Sequence, residues 1–195
     1  MRLEPRPLEG RFVRLEPFTD GLREEVRAAL DVDAAAWARL TLSGQGEHFD
    51  GWWTGALRER DAGQRLPFAV RRLSDGRVIG TTSFIAPKPQ HRGVEIGATF
   101  YHPDARGGPV NPECKRLLLA EAFEHGALRV ELITDAINTH SQSAIGKLGA
   151  VREGTLRNHR VTWTGRVRDT VMFSITVEEW PAVRDGLDAR LDPFA

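Results

Sequence analysis

The stretch Asp104-Ala105-Arg106-Gly107-Gly108-Pro109-Val110-Asn111 joins an alternating apolar run to an apolar run of helical period. A glycine-containing loop that opens a helix is a general anion site. The first N–H groups of the helix have no partner within it, and the helix dipole is positive at that end. Arg106 adds a fixed positive charge at the entry. The competing reading is that Gly107-Gly108 only makes a sharp turn. Asn111 is expected to cap the helix, with Pro112 at its first position and Glu113 in its first turn. Cys114 follows on the apolar face. A helix N-terminus lowers a thiol pKa, but an apolar face buries it, and burial is the expected state.

Other chemistries find no matching residues. The chain has no G-x-x-x-x-G-K-[ST], no G-x-G-x-x-G after a strand and no G-x-S-x-G. His48, His91, His102, His125, His140 and His159 form no tight ligand pair, so no metal is expected. One cysteine excludes an internal disulfide and a cysteine-rich zinc module. With 27 basic and 27 acidic residues, the chain has no global drive toward nucleic acid or anionic lipid. Arg152, Arg157, Arg160, Arg166 and Arg168 crowd one region, and their alternation reads as a solvated strand face. Residues 1–10 contain no apolar signal segment, and no stretch reaches the about 20 apolar residues of a membrane span. The expected location is the cytoplasm, with neither nucleic acid nor membrane as partner.

These residues need elements to hold them, and 195 residues with 41% hydrophobic content are enough for one domain with a core. Residues 11–16 alternate and predict a strand. Leu22, Val26, Ala29 and Leu30 predict a helix after Thr19 or Asp20, and Asp33 heads a short one through Trp37. Phe49, Trp52, Trp53, Ala56 and Leu57 predict a helix over 49–60. Runs 66–72 and 77–85 flank Ser74-Asp75-Gly76 and predict a hairpin. Residues 93–101 predict a strand with Val94, Ile96, Ala98 and Phe100 on one face, and Gly97 within it signals a bulge or a close backbone approach. A helix follows the loop, then a strand over 129–134, a helix over 141–148 stopped by Gly149, and a hairpin over 152–177. The tail 178–195 predicts a short helix that frays.

The run from Glu95 to Gly154 resembles the Gcn5-related N-acetyltransferase (GNAT) superfamily, in particular its RimJ/RimL-like branch. The resemblance is carried by Glu95-Ile96-Gly97, His102-Pro103, the Arg106–Asn111 loop and Glu113-x-Lys115. Further matches are Arg129-Val130-Glu131, Thr134-Asp135, Asn138-x-x-Ser141, Lys147-Leu148-Gly149, Arg152-Glu153-Gly154 and the closing Arg168-Asp169-Thr170-Val171. It implies an α/β fold: a mixed, mostly antiparallel central sheet with splayed central strands, flanked by helices. It further implies a single domain over 1–195, with 11–65 shaping the acceptor side and 66–178 forming the core with the coenzyme site.

The resemblance also implies acetyl-coenzyme A as co-substrate, its pyrophosphate held by Arg106, Gly107, Gly108, Val110 and Asn111. Pro109 and Asn111 depart from the family loop, and Pro109 has no N–H to donate. Asn138 is implied to hydrogen-bond the pantetheine arm, or else is a turn residue. The implied reaction is direct acetyl transfer to a primary amine, on a protein N-terminus or a small molecule. A lysine amine has a pKa near 10.4 and an α-amine near 8, so a base helps. Glu95 is the candidate base, with an ion pair between strands as the alternative. Backbone N–H groups at Phe100 and Tyr101 are candidate donors to the thioester oxygen. A tyrosine acid that many relatives carry is replaced by Ile145, which leaves Ser141 as candidate acid, or as a helix cap. Trp37, Phe49, Trp52 and Trp53 lie in the region implied to shape the acceptor pocket, with core packing expected for at least two. A homodimer is consistent with the branch. The rival reading is an acyl-CoA-binding or interaction module with little activity.

Overall fold

Alternating apolar residues form strands and residues of helical period form helices in the order expected, with one unexpected addition, a two-residue strand at Leu8–Glu9. The computed structural model describes residues 1–194; Ala195, the end of the expected tail, lies outside the described residues. The strands are β1 (Leu8–Glu9), β2 (Val13–Pro17), β3 (Arg65–Arg72), β4 (Val78–Lys88), β5 (Gly93–Tyr101), β6 (Arg129–Asp135), β7 (Val151–Val161) and β8 (Val167–Thr176). The helices are α1 (Arg23–Leu30), α2 (Ala34–Trp37), α3 (Phe49–Asp61), α4 (Val110–Glu124), α5 (Thr139–Gly146) and α6 (Trp180–Leu191). All strands share one sheet of order β1-β2-β3-β4-β5-β6-β8-β7. Every neighbouring pair is antiparallel except β5 and β6, which are parallel.

The sheet has a core on each face. Leu118, Leu119, Ala122 and Phe123 of α4, with Val183 and Leu187 of α6, pack on Val94, Ile96, Val130, Leu132 and Ile175. On the opposite face Val26 and Leu30 of α1, Trp37 of α2 and Phe49, Trp52 and Trp53 of α3 pack against Ala69, Val78 and Phe100. Each fully buried large apolar side chain contributes about 1.5–3 kcal/mol. The tail is a three-turn helix anchored by Val183, Leu187 and Leu191 and followed by a single 3-10 turn over Asp192–Phe194, longer and more buried than the short helix expected.

Buried charge fixes the order of layers. The Glu113 carboxylate accepts the N–H groups of Arg11, Phe12 and Val13 at 2.7, 2.7 and 2.8 Å. It thereby ties α4 to the start of β2. Gly10 leaves room for it, since a Cβ there would stand 2.4 Å from Glu113 Cδ. Glu121, also buried, is paired with Arg6. These carboxylates lie on the helix face that burial otherwise reserves for apolar groups, and each is compensated by donors.

The parallel pair is short. It runs from Gly93↔Arg129 to Glu95↔Glu131 and stops. Beyond that point β5 stays with β4 as far as Tyr101, and β6 stays with β8 as far as Asp135, so the central strands diverge. The expected single face of β5 breaks at the same place. Val94 and Ile96 enter one core while Phe100 enters the other. The cause is a bulge in the β4–β5 register between Thr81 and Ser83, centred on Ala98 at φ 47° rather than on Gly97.

Candidate active site

The loop follows β5, the strand that diverges from β6, and Glu95 stands where that divergence begins. The helix α4 starts at Val110, with Pro109 before it. Asn111 is therefore the second residue of the helix and not its cap, which corrects the expected start. The Pro109 carbonyl accepts Glu113 N–H. Among the described residues no carbonyl or side chain accepts the N–H groups of Gly107, Gly108, Val110 and Asn111. Gly107 has φ +81°, and a Cβ on Gly107 or Gly108 would meet nothing within 4 Å. The loop thus presents bare donors to open space at the positive end of a fifteen-residue helix. A groove of about 380 Å³ on the β2–β3 side of the loop is lined by Arg11, Arg72, Ser74, Asp104, Arg106 and Val110.

Arg106 stands at the edge of that groove and is also held by the chain. Its Nε donates to the Tyr101 carbonyl at 2.9 Å, Nη1 pairs with Asp33, and the guanidinium lies 5.4 Å from the Phe100 ring centroid. Its hydrogen bond with Arg106 holds the Asp33 carboxyl below the usual range. Asp33 adopts φ 59° and accepts Ala36 N–H at 3.1 Å, so it caps α2 as expected. Arg106 therefore joins the loop to β5 and α2, and its place is that of a strap.

Glu95 is the last residue of β5 to pair with β6. It shares a side of the strand with Gly97, where a Cβ would stand 2.5 Å from Glu95 Oε1. Burial raises its pKa, against Arg160, Arg168 and Lys88, which favour the charged form. A half-buried carboxyl held above its ordinary value suits proton acceptance near neutral pH.

Phe100 and Tyr101 end β5. The Phe100 ring stacks on Trp37 at 4.3 Å and 9°. Tyr101 is buried, its carbonyl is taken by Arg106, and burial raises its phenol pKa well above ordinary. Asn138 caps α5, its Oδ1 accepting Ser141 N–H at 3.1 Å. Ser141 is then the third residue of a helix that starts at Thr139, not a cap. Its hydroxyl makes no hydrogen bond among the described residues. Ile145 is buried in the core. Cys114 is fully buried, which pushes its thiol up to about 12. Of the four aromatic residues Trp37, Phe49, Trp52 and Trp53, all are buried, and only Trp37 reaches the site, through Phe100.

Two groups escaped sequence reasoning. Lys115 is buried, donates to Thr99 Oγ1 at 3.0 Å, and burial pushes its pKa down to about 8. Arg166 and Arg168 do not lie on a solvated strand face. Arg166 pairs with buried Asp135, and Arg168 donates to Thr41 Oγ1 at 2.9 Å. A charge in an alternating run gives no local sign of burial, so only the fold reveals either group. No group of three or more His, Cys, Asp or Glu among the described residues is placed to hold a metal ion. No described helix is long and apolar enough to cross a membrane.

A short parallel pair that splays beside a glycine loop and a helix N-terminus matches a known family. Residues 13–151 match the acetyltransferase (GNAT) domain, and the chain belongs to that family. A protein from T. thermophilus, provisionally designated an acetyltransferase, is 37% identical, with TM-score 0.87 over 98% of this chain and 100% of that one. A GCN5-related N-acetyltransferase from Brucella melitensis is 31% identical, with TM-score 0.89 over 97% of this chain and 87% of that one. RimJ of Mycobacterium smegmatis, solved with CoA-disulfide, is 22% identical, with TM-score 0.78 over 94% of this chain and 92% of that one, a likeness of fold. No curated protein matches the chain.

Proposed function

We propose that the protein transfers an acetyl group from acetyl-coenzyme A directly to a primary amine, as a member of the RimJ/RimL-like branch. The observation that carries this reading is the divergence of β5 from β6, with Glu95 where it begins and bare N–H donors in the loop after β5. The fit to coenzyme A rests on those donors and on Gly107 and Gly108, which leave the backbone open to a pyrophosphate. In this reading Asn138 and the backbone of Tyr101 meet the pantetheine arm and the thioester. Arg106 serves the loop by positioning it. RimJ of M. smegmatis has been solved with CoA-disulfide and the acetyltransferase MccE with acetyl-CoA and AMP, which supports a coenzyme A site in this fold.

Acetyl-coenzyme A supplies the activated acyl group as a thioester. Glu95 takes a proton from the amine, directly or through a water, as the amine nitrogen bonds to the acyl carbon. The backbone N–H of Tyr101, turned away from β4 because His102 N–H bonds the Ile79 carbonyl across that edge, is the donor for the oxygen that becomes negative. Ser141, with its hydroxyl free, gives a proton to the departing sulfur as the C–S bond breaks. No covalent enzyme intermediate is needed.

The test is a melting curve with saturating acetyl-coenzyme A, followed by free-thiol release with an amine panel. At 100 times Kd a ligand stabilises by about 2.7 kcal/mol, a shift of roughly 5–11 °C for this length. A shift with acetyl-coenzyme A but not with ATP or NAD, together with amine-dependent thiol release, is expected. A shift without thiol release would make the protein an acyl-CoA-binding module, and no shift would overturn the coenzyme site.

A further inference from the structure

The turn of the β7–β8 hairpin folds back onto the sheet. Register breaks between Arg152 and Gly154 and between Leu156 and Arg160, with Asn158 at φ 51°, bend β7. The turn is then pinned. Trp163 N–H donates to the Thr41 carbonyl and its Nε1 to the Trp37 carbonyl, both at 3.0 Å. Arg168 reaches Thr41, and Arg166 holds Asp135.

Val94 and Ile96 of β5 and Val171, Phe173 and Ile175 of β8 enter one core, so Glu95 and the cross-strand pair Arg160 and Arg168 share the opposite face of the sheet, where both guanidinium groups favour the charged form of Glu95. Neither is fully matched by the chain. Arg168 is only 5% exposed, yet its Nε has no hydrogen-bond partner, and Asp135 Oδ2 stands 4.0 Å away. Thr170, next along the same face of β8 and opposite Asp135, is buried with its hydroxyl also unpartnered. Arg160 is half-buried and has no ion pair or hydrogen bond among the described residues. The other charges around Glu95 are accounted for: Lys88 pairs with Glu131 at 3.4 Å, and Asp135 with Arg166. A carboxyl on this face and beside it a guanidinium pair with donors to spare, Arg168 Nε and the Arg160 fork, form the complement of a zwitterion. Guanidinium forks match carboxylates in particular.

We infer that the acceptor is a small zwitterion, an amine with a free carboxylate a few bonds away as in an amino acid, its amine facing Glu95 and its carboxylate held by Arg160 and Arg168. The inference rests on the acetyl-transfer reading and narrows it. A protein N-terminus, whose first carboxyl is an amide, lacks the group that the guanidinium pair would hold.

The experiment compares free amino acids with their amides and with short peptides, as acceptors and as ligands. With acetyl-coenzyme A, thiol release is expected to show kcat/KM about 10- to 100-fold higher for an amino acid than for its amide, the worth of a charged hydrogen bond. Arg160→Met should lower that ratio by about tenfold by raising KM for the amino acid, with Arg168 retaining the rest. Arg160 is chosen because Arg168 also ties the hairpin to Thr41. Calorimetry of the same compounds with the coenzyme A-bound protein reads discrimination without turnover. Amides or peptides that serve or bind as well as the amino acids overturn the inference, as does a ratio that Arg160→Met leaves unchanged. Binding that discriminates without any thiol release would instead overturn acetyl transfer and leave the carboxylate site standing.

Discussion

Replacing Gly97 by alanine tests the placement of Glu95 without touching the carboxyl. The added Cβ would lie 2.5 Å from Glu95 Oε1 and 3.0 Å from Ile85 Cδ1, whereas ordinary contact begins at 3.4 Å. The carboxylate must therefore retreat by about 1 Å, and the Ile85 methyl, a flexible end, by less. Gly97 is not in a left-handed conformation, so alanine is not strained there. Folding stability should hold or rise by about 0.4–1 kcal/mol through the unfolded chain. A 1 Å misplacement of a catalytic group costs about 100-fold in rate, or about 2.7 kcal/mol in barrier. The assay is initial-rate thiol release at saturating acetyl-coenzyme A, beside a melting curve. We expect a large fall in kcat at an unchanged or higher Tm. Its acid limb should move down in pH, because a carboxyl pushed toward solvent loses the burial that raises its pKa. Glu95→Gln added to Gly97→Ala should cost little more than Glu95→Gln alone. A Gly97→Ala enzyme with kcat within about twofold of wild type, where about 100-fold is expected, would refute the role given to Glu95.

Lys115→Met should stabilise the protein at pH 7, and the gain should shrink as pH climbs from about 8 to 10.5. The unfolded chain binds the Lys115 proton throughout that window while the folded chain releases it. Urea titrations of both proteins across the window check this, and a gap that stays constant or widens rejects it. Glu113→Gln should lower stability by about 3 kcal/mol, because an amide presents its own N–H to donors that need an acceptor. A change in urea midpoint worth less than about 1 kcal/mol would show that the backbone finds water instead. Arg106→Ala and Asp33→Ala should weaken acetyl-coenzyme A binding equally and couple by about 1 kcal/mol in a double-mutant cycle. A greater loss from Arg106→Ala alone would place its guanidinium on the coenzyme.

What could be read in the sequence follows the range of the interactions involved. Alternation over 93–101 and helical spacing over 114–123 are local, and each became the expected element. The polar anchors are not local. Glu113 finds its donors at Arg11, Phe12 and Val13, and Arg168 finds Thr41, each across most of the chain. A charge in such a run looks solvated until the partner is placed, which is why Arg166 and Arg168 read as surface. The bulge is signalled, but one residue early, for another reason. Glycine at 97 signals permissiveness, but the left-handed residue is Ala98, because Gly97 is needed for the room it leaves Glu95. The two demands fall on adjacent residues, and only one of them leaves a mark in composition.

The α4 entry shows how a misplaced boundary changes the chemistry. A cap at Asn111 would occupy its side chain and put Pro112 at the first helical position. With the helix starting at Val110, Pro112 stands in the first turn, where no intrahelical N–H bond is lost. Asn111 is then left with a bare N–H, as are Val110 and the two glycines. Pro109 removes one donor between Gly108 and Val110, but the earlier start keeps donors on both sides of it. The departures at 109 and 111 therefore leave a cradle with a notch rather than no cradle. Proline also fixes φ at the residue that aims the loop, at −74°. Gly107 at φ +81° supplies the turn that proline cannot, and Arg106, strapped to Tyr101 and Asp33, fixes the direction from which the loop arrives.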